Sequence, residues 1–346
     1  MTEQHDALAS NHPHHEEQAK PKLLVLIGPT AVGKTQLSLD IARAYNCEII
    51  SGDSMQVYRS MDIGTAKIMP EERQGIVHHL IDIREPEESY SSADFQVECR
   101  RLIAEITSRG KLPFIVGGTG LYIESVCYAY EFAENGSDPE FRLAMEQYAD
   151  EQGAEALHAK LVEVDPASAA RLHPNDRRRI IRALEIYKLT GERMSEQLSR
   201  QTKTSPYELC IIGLEMDRQK LYNRINQRID LMMEQGLEEE ARRIIARGIP
   251  SDAVSMQGLG YKEFIPYFAG HCSLEEAVET LKRDTRRFAK RQLSWFRHMK
   301  DIDWVDAELN LYNKLQAVHG IIAGKFSLSL EYISNQSFST GVTANE

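Results

Sequence analysis

The strongest constraint on this chain is an apolar run that empties into a glycine-rich loop. Leu23-Leu24-Val25-Leu26-Ile27 has the length of a strand and is followed at once by Gly28-Pro29-Thr30-Ala31-Val32-Gly33-Lys34-Thr35, after which Gln36 to Ala42 continues with helical spacing. Strand, loop and helix in that order make a phosphate-binding loop. Gly28 and Gly33 let the backbone approach a phosphate, amide N–H groups converge at a helix N-terminus, Lys34 adds a positive charge, and the Thr35 hydroxyl can ligate Mg²⁺. The loop by itself leaves open which phosphorylated molecule it holds.

Further short apolar runs at Cys47–Ser51, His79–Ile83, Pro113–Val116 and Leu209–Leu214 read as strands, and a helical pattern opens at Ser92 and closes at Gly110. This alternation predicts an α/β fold, a P-loop NTPase-like parallel sheet flanked by helices. From residue 128 to 204 the strand signal vanishes and helical patterns such as Phe141 to Leu161 and Arg178 to Leu189 take over, so we expect a mostly helical insertion. The core is then expected from residues 21–127 and 205–315, between disordered polar tails at 1–20 and 327–346. His5, His12, His14 and His15 in the first tail suggest a metal site only weakly, because no ligand geometry accompanies them.

With 346 residues the chain exceeds what one hydrophobic core normally serves, which favours two lobes. Its five cysteines are odd in number, scattered and never in a CxxC pair, which argues against a disulfide framework or a zinc site and fits a reducing cytosol. No stretch has the pattern of a secretory signal, and none approaches the roughly 20 apolar residues that span a bilayer. The expectation is a cytoplasmic protein with no membrane partner. A net charge of −11 disfavours nucleic acid at first sight, but the segment from Lys282 to Lys300 holds eight cations against the single anion Asp284. Leu281, Thr285, Phe288, Gln292, Phe296 and Met299 form a largely apolar stripe along it, so the cations project elsewhere and favour a polyanionic partner over a merely solvated face.

Three other segments are candidates for chemistry. Asp53 follows the second strand, where open α/β sheets bind their ligands, although a turn or N-cap aspartate satisfies the same local pattern. Gly117-Gly118-Thr119-Gly120 follows the fourth strand and marks either a close backbone approach or a tight structural turn. Arg224 and Arg228 share one face of a helix whose Leu221, Ile225 and Ile229 share another, a pattern that a solvated face also produces. A small-molecule kinase is the default reading of the loop, but the strand that should end in a Mg²⁺-binding aspartate ends in Gly117-Gly118-Thr119 instead.

Taken together, the loop from Gly28 to Thr35, Ile50 to Tyr58, Met61 to Lys67, Tyr90 to Phe95, Gly117 to Tyr122 and His173-Pro174-Asn175-Asp176 resemble the signatures of bacterial tRNA dimethylallyltransferases, in order and spacing, over residues 22 to 315. That family moves a dimethylallyl group from dimethylallyl diphosphate to N6 of adenosine 37, beside the anticodon of a tRNA of A36-A37-A38 type. The resemblance implies that Gly28, Pro29, Thr30, Ala31, Val32, Gly33, Lys34, Thr35 and Arg228 hold the diphosphate, with Mg²⁺ at Thr35. It implies Asp53 as general base and Thr119 as the group orienting the amine. It also implies tRNA contacts at Asp53, Ser54, Met55 and Gln56, at Arg178, Arg179, Ile180, Ile181 and Arg182, and at Gln257, Gly258 and Tyr261. A monomer is expected. The chain departs from the pattern in lacking the zinc finger of eukaryotic relatives and in its longer polar tails. An adenylate isopentenyltransferase or a small-molecule kinase would use the same loop without needing the insertion, and a non-catalytic RNA-binding module would leave Lys34, Thr35 and Asp53 idle.

Overall fold

A computed structural model describes residues 20–128, 130–132 and 136–327. The expected tails and the four N-terminal histidines lie outside the described residues, apart from the inner ends at Lys20 and Ser327.

The first half of the chain runs β1 (Lys22–Ile27), α1 (Lys34–Ala44), β2 (Cys47–Gly52), β3 (His78–His79), α2 (Ser92–Ser108), β4 (Leu112–Gly117) and α3 (Gly120–Cys127). Five short helices follow: α4 (Pro139–Gln152), α5 (Ala154–Val164), α6 (Pro166–Ala169), α7 (Arg177–Thr190) and α8 (Met194–Ser199). The chain then returns through β5 (Glu208–Glu215), α9 (Arg218–Glu234), α10 (Leu237–Ile245), α11 (Ile265–Phe268), α12 (Leu274–Phe296), β6 (Ile302–Asp306) and α13 (Leu311–Lys325).

The strands form one sheet in the order β3-β2-β4-β1-β5-β6, and every pairing is parallel. Leu23 to Ile27 of β1 are fully buried, as a strand with helices on both faces requires. α2 shows how sequence sets an element. Ser91 and Asp94 exchange side-chain hydrogen bonds in a capping box, and Phe95, Cys99, Leu102, Ile103 and Ile106 turn one face into the core.

The parallel register determines the site. Ile27 pairs with Gly117 across β1 and β4, and Gly52 pairs with Gly117 across β2 and β4. Three strands therefore end level with one another, and the residues just beyond them, Gly28, Asp53 and Gly118-Thr119, must share one edge.

The insertion helices bury a second hydrophobic cluster of their own, with Ala149, Leu157, Leu161, Ile180, Ile181 and Leu184 inside and Phe141, Met145 and Tyr148 against it.

Several elements differ from expectation. The third strand is only His78–His79 rather than His79–Ile83, because Leu80 (φ 61°) and Asp82 (φ 57°) leave the extended region. The backbone N–H groups of Asp82 and Ile83 instead donate to the carbonyls of Gln56 and Val57, at 3.1 and 2.8 Å. The helical pattern from Phe141 to Leu161 is two helices, since Gly153 at φ 90° breaks it. β6 and α13 went unanticipated. The first is an edge strand in which Asp303 and Asp306 interrupt the apolar residues, so it gives no continuous apolar run. The basic helix α12 starts at Leu274 behind a Ser273–Glu276 capping box. It ends at Phe296, leaving Met299 buried just beyond it.

Candidate active site

The loop after β1 adopts the shape its sequence implies. Gly33 sits at φ 104° as the N-cap of α1, a conformation costly for any side chain. Val32 turns its side chain into the core, while Thr30, Ala31, Gly33, Lys34 and Thr35 line a cleft of about 430 Å³ with Asp53, Gly117, Gly118, Arg224 and Arg228. The Lys34 ammonium folds back to donate to the carbonyls of Gly28 at 2.9 Å and Pro29 at 2.8 Å. Burial first, and then the neighbouring Arg228, push its pKa down to about 7, with Asp53 acting in the opposite sense. Burial also draws the Arg228 guanidinium below its ordinary value. Its Nη1 donates to the Thr30 hydroxyl at 3.4 Å. Two half-buried cations set against each other make a cradle that an anion would relieve.

Across the cleft, Asp53 Oδ1 accepts from the backbone N–H of Met55 at 2.8 Å and of Gln56 at 3.3 Å. Its Oδ2 accepts no hydrogen bond from the described residues. The Thr119 hydroxyl accepts from the Ser54 N–H at 3.1 Å and donates to Ser54 Oγ at 3.3 Å, which leaves one lone pair uncommitted. Asp53 and Thr119 also line an adjoining recess of about 240 Å³ with Ser54, Met55, Gln257, Gly258, Ile225, Ile229 and Phe288. The glycines of the β4 end have a packing reason. A Cβ at Gly117 would stand 2.3 Å from the Gly52 carbonyl oxygen.

The chain from Met61 to Lys67 completes the wall of the recess and is fixed from behind. Buried Glu240 accepts from the N–H groups of Asp62, Ile63 and Gly64 at 2.9 to 3.0 Å and from the Tyr261 hydroxyl at 2.7 Å.

A polar cleft and its adjoining recess thus bring a cationic cradle together with a carboxylate and a hydroxyl. The model of the family described as IPP transferase matches residues 56–299.

The chain belongs to the IPP transferase family.

It is 57% identical over 291 residues to the tRNA dimethylallyltransferase of Bacillus cytotoxicus, covering 84% of this chain and 92% of that one. A counterpart from Bacillus cereus is 57% identical over 84% of this chain and 91% of its own length. Among solved structures, the full-length tRNA isopentenylpyrophosphate transferase of Bacillus halodurans is 49% identical, with 92% and 100% of the two chains covered and a TM-score of 0.68. A eukaryotic dimethylallyltransferase acting on tRNA is 32% identical, with 91% and 80% covered and a TM-score of 0.75.

Not every residue expected at the site of this IPP transferase family member reaches it. Ile180 and Ile181 lie in the insertion's core and Tyr261 is fully buried under Glu240. They are framework, because α7 turns its apolar face inward and the Tyr261 hydroxyl is already engaged. On α7 the exposed candidates are Arg178 and Arg179. Arg182 is tied to the buried Glu185 at 2.6 Å. The basic helix is also less unopposed than its sequence suggests. Lys282 pairs with Asp230 at 2.7 Å and with Glu279 at 3.2 Å, and Arg283 and Arg287 both reach Asp284. Thr285 and Phe288, expected to pack inward, face the recess instead. Sequence reasoning overlooked Glu240, and it counted Gln292 only as a member of an apolar stripe. The available signal was polarity: an amide among Leu281, Phe296 and Met299 demands partners.

Proposed function

We propose that this chain is a tRNA dimethylallyltransferase that takes dimethylallyl diphosphate as donor and N6 of adenosine 37, beside the anticodon, as acceptor, working as a cytoplasmic monomer. The observation that carries the reading is that the cleft lined by Lys34 adjoins the recess lined by Thr119, with Asp53 and Arg228 lining both. Among the described residues no helix is long and apolar enough to cross a membrane.

The residues divide the chemistry as follows. Lys34, Arg228 and the loop amides receive the negative charge that builds up as the allylic C–O bond breaks. An allylic carbon sheds diphosphate with carbocation character, so no protein nucleophile is needed. The exocyclic amine of adenine has two N–H groups and a lone pair delocalised into the ring. One N–H is directed to the free oxygen of Asp53, which takes the proton as the C–N bond forms, and the other to the free lone pair of Thr119. The acceptor base enters through the recess and so has to leave its stack in the anticodon loop.

Thr35 is an exposed residue that lines the cleft beside Lys34. No group of three or more His, Cys, Asp or Glu suited to a metal occurs among the described residues. Such a donor set fits Mg²⁺ held by one protein hydroxyl together with phosphate oxygens and water. When bound, the ion would neutralise part of the leaving group's charge.

The decisive assay offers the purified protein dimethylallyl diphosphate, Mg²⁺ and either tRNA of A36-A37-A38 type or AMP. Prenylation of the tRNA alone is the expected result. Transfer only to AMP, or, in a parallel reaction supplied with ATP, ATP hydrolysis without prenyl transfer, overturns the reading.

A further inference from the structure

Gln292 lies near the C-terminal end of α12 and is 6% exposed. Ala289 and Phe296, one turn away on either side, are buried and apolar. A buried primary amide is costly unless both its ends find partners. Gln292 finds two, and both belong to the active site. Its Oε1 accepts the backbone N–H of Thr30, in the phosphate loop, at 2.9 Å. Its Nε2 donates to the carbonyl of Gly118, the residue before Thr119, at 2.9 Å. The reverse orientation would set oxygen against carbonyl and nitrogen against N–H, so these partners fix the amide.

The steric fit agrees with this contact. A Cβ at Gly118 would fall 2.2 Å from Gln292 Nε2 and 3.4 Å from the Gly28 carbonyl oxygen. A side chain at residue 118 would therefore displace the Gln292 amide from its place between the β4 end and the phosphate loop. Beyond Gly118 the connections continue. The Thr119 N–H donates to the Gly52 carbonyl at 3.2 Å, and Thr119 Oγ1 holds Ser54 next to Asp53. On the other side, Thr30 Oγ1 meets Arg228. One side chain therefore joins the half of the cleft that would hold the leaving group to the half that would hold the amine.

We propose that Gln292 is a positioning residue that sets the spacing between the diphosphate cradle and the Asp53–Thr119 pair, an inference that rests on the transferase reading above. Carbon transfer needs the departing oxygen and the incoming nitrogen held on either side of one allylic carbon, and a misplacement of about 1 Å costs about 100-fold in rate. Both polar ends of Gln292 are spent on backbone, so neither substrate needs it for binding. Its loss acts on the transfer step.

The test is transfer from dimethylallyl diphosphate to tRNA with Gln292→Met, which keeps the length and has no hydrogen-bonding ends, and Gln292→Glu, which keeps the acceptor toward Thr30 but donates to Gly118 only when protonated. At about pH 8 both variants are expected to lose about 30- to 100-fold in kcat, with donor KM and tRNA Kd within about 3-fold of wild type in the uncharged Met variant. As pH is lowered, the Glu variant recovers kcat relative to wild type, whereas the Met variant keeps a constant ratio. Lys34, Asp53, His78, Arg224 and Arg228 line the same cleft and titrate in all three proteins, and the uncharged Met variant reports their contribution to the ratio. If the Met variant does not fold, the pH response of the Glu variant decides alone. A Met variant with wild-type kcat, a defect confined to donor KM, or a flat ratio for the Glu variant overturns the proposal. A wild-type protein that transfers no prenyl group contradicts the function itself.

Discussion

In the proposed reaction Asp53 divides its two carboxylate oxygens between folding and chemistry. Oδ1 caps the turn that leads to Gln56, and Oδ2 is the oxygen proposed to take the proton. Asp53→Asn keeps the acceptor for the turn and removes the base, so kcat is expected to fall by about 10²- to 10⁴-fold while tRNA affinity changes by less than about 3-fold. Steady-state kinetics with a filter-binding assay separates the two effects, and wild-type turnover would remove Asp53 from the chemistry. Lys34 gives a pH prediction. Its pKa of about 7 in the free protein leaves it largely neutral in mildly alkaline solution. A diphosphate favours the charged form, so binding raises that pKa and takes up a proton, and affinity falls as pH rises above about 7. Calorimetric titration of pyrophosphate at about pH 8, in buffers of different ionisation enthalpy, is expected to show proton uptake that is reduced in Lys34→Arg, whose side chain is always charged.

The loop, β1, α1, α2 and β4 were legible because each combines a strong period with its own end signal: a glycine turn, a capping box or a glycine stop. β3 was overestimated because Leu80 and Asp82 take positive φ in order to bond back to residues 56 and 57, a tertiary demand that leaves no trace in local pattern. β6 was missed because an edge strand tolerates aspartates that a central strand would not. The site was half legible. Lys34 and Thr35 follow from the loop motif, and Asp53, Thr119 and Arg228 only from the family resemblance, whereas Glu240 and Gln292 act on backbone far away in sequence, and backbone partners have no residue identity to read. Helix α7 illustrates the same limit. Its run from Arg178 to Arg182 reads as uniformly available, but the structure buries Ile180 and Ile181, pairs Arg182 with Glu185, and leaves Arg178 and Arg179 exposed. If these two contact phosphates of a single-stranded loop, replacing both by Gln is expected to reduce the slope of log affinity for tRNA against log salt by about 1.4, with donor KM unchanged. An unchanged slope would place the tRNA elsewhere.

The whole molecule reconciles an acidic chain with a polyanionic substrate by confining its cations. The net charge is −11, yet Lys34, Arg224 and Arg228 converge on one cleft, and Lys290 and Arg291 stand exposed on the helix beside it. The parallel register brings three strand ends level, the phosphate loop uses one of them, and the two neighbouring ends supply a carboxylate and a hydroxyl rather than the apparatus of phosphoryl transfer. The central claim is therefore that this loop releases a diphosphate while carbon moves to the acceptor. Dimethylallyl diphosphate labelled separately in the allyl carbon and in phosphorus tests it directly. The account predicts that the carbon label enters tRNA, at adenosine 37, while all of the phosphorus label is recovered as free pyrophosphate. Phosphorus label in the acceptor, or carbon label that stays with the donor while phosphate is released, would contradict it.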